Sequence, residues 1–372
     1  MRDGLADLPP GSVKEARLAA VEEVLADGVP FGRSGYIAEE VAAVYTDLLT
    51  LVAGTSTAAA GLLTRLDEMG QASRVAVLRD SLLRRTIEDG ALRTLKGIDT
   101  IEPAMLDDLL TSAAAAAVTG NRTLLNEHAR GACLGPTPDF GYVWIGDQTD
   151  GLAGRRFTEE ILKRVPGFRV SAADKNQVET LARGARLASR VAPALASSAL
   201  SHIFMVVLGE FEAEDQLFNS FTLPGLPGVL ILSPDVLAGD SAAAEALFHE
   251  AFHLKFIDID YIRPLFAPGF RQETSPRITP EWHENDPSRG SWPVDRVLTS
   301  MHVYLALAVF FEKVASTDEP AWENAAARAD QCRTRATWLS NTAQDYLDHL
   351  SDSGRHFVAS IRAMLSDLNE AQ

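Results

Sequence analysis

From Met301 to Phe311 the chain carries ten apolar side chains in eleven positions, interrupted only by His302. With Arg296-Val297-Leu298-Thr299-Ser300 leading into it, the stretch reads as a helix so apolar that it must be buried. Leucine and alanine recur at three- and four-residue spacing from Val13 to about Ala132, and a helical pattern returns over 173–200. Runs of β character are few and clustered: Tyr142–Ile145, His202–Leu208, Leu217–Phe221 and Gly228–Leu232, with Pro224–Gly228 as the turn between the last two. Ser233-Pro234 closes them, and a helix of about 15 residues is expected from Ser241, capped by Asp240 or Ser241. Further helices are expected at 292–315, 319–350 and 354–368, after a long loop over 262–292. The fold class is therefore α+β and mostly helical: a helical N-terminal half, then a small β-sheet followed by the 241–255 helix and further buried helices. A change of texture around 131–154 divides it into a helical region, 1–132, and a mixed α+β region, 133–372.

Composition limits the partners. Of 372 residues, 46% are hydrophobic and 23% charged, and 34 basic against 51 acidic residues leave a net charge of −17. That balance argues against holding nucleic acid or an anionic membrane by bulk electrostatics. Cys133 and Cys332 are the only cysteines and stand in no metal-like spacing, which reads as buried small side chains. The N-terminus has no apolar core of signal-peptide length, and His202–Leu208 and Tyr304–Phe311 fall well short of the roughly 20 residues a spanning helix needs. A cytoplasmic protein is expected.

The chemistry is concentrated at His249-Glu250-Ala251-Phe252-His253, an HExxH pattern inside a helix. Four residues make one helical turn, so both imidazoles leave the same face and one ion can meet both. Glu250 lies about 100° around the helix and can reach the open side of the metal without ligating it. A third ligand is needed. The metzincin extension fails, because Phe256 and Ile259 occupy its glycine and histidine positions. Glu273, Glu281, His283 and Glu284 lie in the loop, and His302 sits in the apolar helix with Asp295 seven residues earlier as its support. His302 is the preferred third ligand. A zinc metallopeptidase with Glu250 as general base and Glu273, Glu281 or Glu284 as ligand is the alternative, and a non-catalytic binding module is a further one.

Gly228-Val229-Leu230-Ile231-Leu232, Ala246–His253, Trp292, Arg296 and Met301-His302-Val303-Tyr304 together follow a known layout. It is similar to that of the HExxH-motif peptide-modification proteins found with ribosomally made peptide natural products. The resemblance covers about 200–315, roughly a third of the chain. It implies a non-heme iron(II), 2-oxoglutarate-dependent oxygenase that hydroxylates a β-carbon of an amino-acid residue in a peptide, or of an amino acid. Carried over, it implies that His249, His253 and His302 hold Fe(II) and that Arg296 binds the cosubstrate's carboxylate. Three ligands on one octahedral face would leave room for a bidentate keto acid and O₂, and an arginine fork suits a carboxylate. Arg296 and His302 are six residues apart, about 120° around a helix, so Arg271, Arg277 and Arg289 stay open for that role. Glu250 would then hold a substrate amine or amide, and the loop aromatics Phe266, Phe270, Trp282 and Trp292 could cover the substrate. From Lys255 to Arg296 six basic and seven acidic residues sum to −1, so the chain-wide acidity does not oppose an anionic cosubstrate there.

Overall fold

The computed structural model describes residues 10–119, 123–125, 132–135, 140–146, 151–211, 219–283, 290–317 and 322–370. Among these the protein is mostly helical with one small mixed sheet, an α+β fold. The helices are α1 (Pro10–Asp27), α2 (Ser34–Ala53), α3 (Thr57–Asp67), α4 (Gln71–Leu78), α5 (Ser81–Lys96), α6 (Pro103–Val118), α7 (Gly151–Arg164), α8 (Lys175–Val191), α9 (Pro193–Leu200), α10 (Asp240–Ile262), α11 (Val294–Ala315), α12 (Ala325–Thr342) and α13 (Asp352–Asn369). The strands are β1 (Tyr142–Val143), β2 (Phe168–Ser171), β3 (Met205–Phe211), β4 (Ser220–Thr222) and β5 (Val229–Leu232).

The chain divides into two compact units, one comprising 34–187 and 199–258, the other 1–33, 188–198 and 259–372. Neither has an edge near residue 133. The reason is local: Tyr142 and Val143 pair in parallel with Met205 and Val206, and Ser81 Oγ on α5 donates to the Pro227 carbonyl beside β5. The sheet and helices α2–α6 therefore belong to one unit.

In the 34–258 unit β3 is central. β5 pairs with it in parallel on one side, β1 in parallel and β2 antiparallel on the other, and β4 adds antiparallel to β5. Val229–Leu232 are buried at every position, as a strand covered on both faces must be. Gly228 precedes them at φ +80°, where a Cβ would come within 2.9 Å of Phe204 Cβ, so the turn needs glycine. α10 follows the sheet and lies close against α8, since a Cβ on Gly184 would sit 2.8 Å from the Ala244 amide nitrogen. Arg183 Nε adds bonds of 2.9 and 3.0 Å to the Asp240 carboxylate at the start of α10. The helix runs 23 residues, longer than the 15 expected, because buried Phe256 and Ile259 continue its apolar face.

In the other unit the apolar run is α11, Val294–Ala315, within the 292–315 expected. Its 22 residues pass for a membrane span by length and a hydropathy of 1.4, yet 78% of that window is buried inside the protein. Each of α1, α12 and α13 packs on it. Strand β2 and helix α7 were not foreseen. The sequence-predicted strand over 217–221 is seen from Ser220, residues 217 and 218 lying outside the described residues.

Candidate metal centre

All three residues of the motif stand on α10 in the 34–258 unit. His249 and His253 turn their Nε2 atoms toward each other at 3.2 Å, with ring centroids 5.0 Å apart. Two nitrogens each about 2.1 Å from one ion, at an angle of about 100°, would be separated by that distance. The separation fits adjacent corners of an octahedron or a tetrahedron alike. Burial pulls His249 down to about 4, so its imidazole is neutral at pH 7, the state in which it ligates. Its side chain still keeps 34% of its surface exposed, which gives a ligand a way in.

Glu250 is 3% exposed and burial pushes it up to about 7, against the opposing effect of a hydrogen bond from Ser220. Ser220 Oγ donates to Glu250 Oε1 at 2.6 Å, and the same oxygen lies 3.9 Å from His249 Nε2. The carboxyl therefore stands beside the imidazole pair and exists in both protonation states near neutrality, as a general acid or base requires. Ser220 comes from edge strand β4, opposite Leu232. Its hydroxyl escaped the sequence reading, because three residues of strand carry no period.

The last turns of α10 in this unit are tied down by buried charge. Asp258 Oδ2 lies 2.6 Å from His202 Nδ1, and Arg84 Nη1 is 3.5 Å from Asp258 Oδ1. Burial alone would raise Asp258, but the bond from His202 and the Arg84 charge outweigh it and hold the carboxyl below its ordinary value. Burial lowers His202, so a neutral imidazole donates Nδ1–H to a carboxylate. His202 was expected as the first residue of a strand; β3 starts at Met205, and His202 serves α10 instead.

The remaining sequence-predicted residues stand in the other unit. His302 is fully buried in α11, stacked on Phe31 at 5.4 Å with 14° between the planes and edge-on to Phe357 at 5.4 Å. Among the described residues no group of three or more histidine, cysteine, aspartate or glutamate side chains is gathered as one ion requires. These contacts place its ring as a flat core side chain between aromatic neighbours. Asp295 is half-buried in the first turn of α11, and burial raises its carboxyl above the ordinary value. His283 is buried against Trp292 at 5.2 Å, with Nδ1 3.3 Å from the Gly290 carbonyl. Glu273 and Glu281 are exposed, as are Arg271 and Arg277, while Glu284 and Arg289 lie outside the described residues. Arg296 is exposed and stacks its guanidinium 4.7 Å over Trp292.

No protein-family model matches the chain, and no curated protein matches it.

Proposed function

We propose that this chain is a metal-dependent enzyme in which His249 and His253 bind a divalent metal beside the Glu250 carboxyl. The observation that carries this reading is the 3.2 Å convergence of two Nε2 atoms, one on an imidazole that burial keeps neutral. Its reaction, on this proposal, is the iron(II), 2-oxoglutarate-dependent hydroxylation of a β-carbon in a peptide or amino acid, the chemistry that the resemblance over 200–315 implies. Iron(II), when bound, supplies the redox chemistry by which O₂ and the keto acid are consumed together. The chain's own contribution is distinct. His249 and His253 offer uncharged donors, so the site favours an anionic cosubstrate, for which the resemblance offers Arg296. Glu250 holds a substrate amine or amide: as a carboxylate it accepts an N–H, and as the acid it donates to a carbonyl. Ser220 fixes which oxygen of Glu250 is free to do so.

A hydrolytic reading is favoured by one observation, the rise of Glu250 to about 7. A carboxyl poised there takes and returns a proton at neutral pH, which a zinc peptidase asks of this position. The two readings separate by assay. Protein reconstituted anaerobically with Fe(II) and 2-oxoglutarate should develop a weak visible charge-transfer band and then form succinate in air. Absence of both, with zinc co-purifying at one per chain, would replace the oxygenase by the hydrolase. Absence of any bound metal and of either turnover would leave a binding module.

A further inference from the structure

The 34–258 unit holds a groove of about 380 Å³ between α2 and α4, built from none of the HExxH residues. Its α2 wall is Glu39, Ala42, Ala43, Thr46 and Asp47, one stripe at three- and four-residue spacing. The neighbouring stripe of α2, with Ile37, Val41, Tyr45 and Leu49, is buried in the core. Gln71 and Arg74 line the α4 side. The two alanines are too short to fill the space between the helices, so a gap remains where larger side chains would interdigitate.

Three charged side chains face this gap. Glu39 and Asp47 are exposed and Arg74 is half-buried. Arg74 Nε donates to the Leu66 carbonyl at 3.2 Å, which fixes the stem of the side chain. Among the described residues its terminal nitrogens make no hydrogen bond or ion pair, and neither carboxylate meets a cation. Opposite charges within reach in this unit do meet: Arg65 Nη1 pairs with Glu68 at 2.8 Å. Here the width of the gap keeps them apart. Glu39 and Asp47 are eight residues apart on α2, a rise of about 12 Å, so they stand toward opposite ends of the groove. The Thr46 hydroxyl donates to the Ala42 carbonyl at 2.8 Å and so offers the groove only an acceptor. Beside Gln71, α4 begins at Gly70 without a side-chain cap, and its first-turn amides add to the favour Arg74 gives an anion. The groove therefore presents two separated anions and one cationic patch.

We propose that the groove between α2 and α4 binds a free basic α-amino acid, lysine or arginine. Such a molecule carries two cations and one carboxylate, the complement of Glu39, Asp47 and Arg74. Its carboxylate meets the Arg74 guanidinium, which presents its N–H edge as a fork. Its ammonium and its side-chain cation each meet one of the two acids. An extended lysine holds its nitrogens about 7 Å apart, and a charge-assisted bond of about 2.8 Å at each end spans the spacing of the two acids. The volume lies at the small end of ligand pockets, as one amino acid requires. A polyamine lacks the anion that Arg74 calls for, and an acidic amino acid would meet like charge. The site stands on this unit alone and needs no metal.

The test uses the full chain stripped of metal with a chelator, so its outcome is independent of the metal reading. L-lysine and L-arginine are titrated by calorimetry, beside norleucine, which lacks the side-chain cation, and cadaverine, which lacks the carboxylate. One-site binding is expected for lysine or arginine, at least fivefold weaker for norleucine and for cadaverine, and weakened by salt. Glu39→Gln, Asp47→Asn and Arg74→Gln should each lower the affinity at least fivefold. Ala43→Leu should do the same by filling the groove without changing its charge; Ala43 is exposed, so the fold tolerates the larger side chain. Asp108→Asn, at an exposed acid on α6 outside the groove, should leave binding unchanged. No saturable heat with either basic amino acid, cadaverine or norleucine binding as tightly as lysine, or parent affinity in Ala43→Leu would overturn the proposal.

Discussion

Ser220 on edge strand β4 donates its hydroxyl to Glu250 on α10 at 2.6 Å, joining the sheet to the middle of the HExxH motif. The bond favours the ionised carboxyl and holds Glu250 near 7 against burial, which pushes it higher. Removing the hydroxyl in Ser220→Ala takes away a stabiliser of the charged form, so Glu250 should titrate higher, by about one unit for a charge-assisted bond of about 1.5 kcal/mol. The acidic limb of the pH profile of kcat/KM moves up by the same amount if Glu250 acts as the carboxylate. Glu250→Gln abolishes that limb. An unmoved limb in Ser220→Ala means that the hydroxyl does not set the protonation of Glu250.

The pair of Asp258 and His202 predicts a stability effect with a definite pH dependence. Asp258 is held below its ordinary value in the folded chain, so its contribution is present above the unfolded value of 3.8 and is lost as pH falls through the folded one. His202, lowered by burial from 6.5, must stay neutral, so acidification below about that value also favours unfolding. Asp258→Asn leaves Arg84 buried without its counter-charge and should cost about 3 kcal/mol. Denaturant unfolding of the metal-free chain at pH 7 and at pH 5 measures both: the loss from the substitution persists at pH 5, where Asp258 is still ionised, while the parent is itself less stable there than at pH 7 because folding opposes protonation of His202.

Much of the scaffold is legible before any coordinates, and the limits are physical. The run around Met301–Phe311 announces a buried helix because it is apolar on every side, and α11 is that helix. The four-residue spacing of His249 and His253 likewise implies a shared face, since helical geometry alone brings i and i+4 together. Contacts across long separations leave no such trace. Ser220 and Glu250 are 30 residues apart and His202 and Asp258 are 56, and nothing local couples them. For His302 the sequence alone leaves a ligand and a core side chain both open, and packing adds a ring stacked on Phe31. Tyr304 and Arg335, 31 residues apart, meet for the same unreadable reason.

That stacking predicts what His302 does. His302→Ala should cost about 2–4 kcal/mol, as loss of a buried ring from a close-packed core does, and leave the metal content of the purified chain unchanged. His302→Phe, which keeps a flat ring between Phe31 and Phe357, should recover much of the stability. Thermal unfolding together with metal analysis decides it. Loss of metal in both variants at unchanged stability would make His302 a ligand.

The account rests most heavily on the convergence of His249 and His253. Its most direct test is the metal stoichiometry of the chain after anaerobic reconstitution with Fe(II), and separately with Zn(II), followed by removal of excess ion. One metal per chain is predicted for the parent, and none retained in His249→Ala or His253→Ala, with the fold of each variant verified by circular dichroism. A folded His253→Ala variant that keeps its full metal, or a parent that binds none, would contradict it.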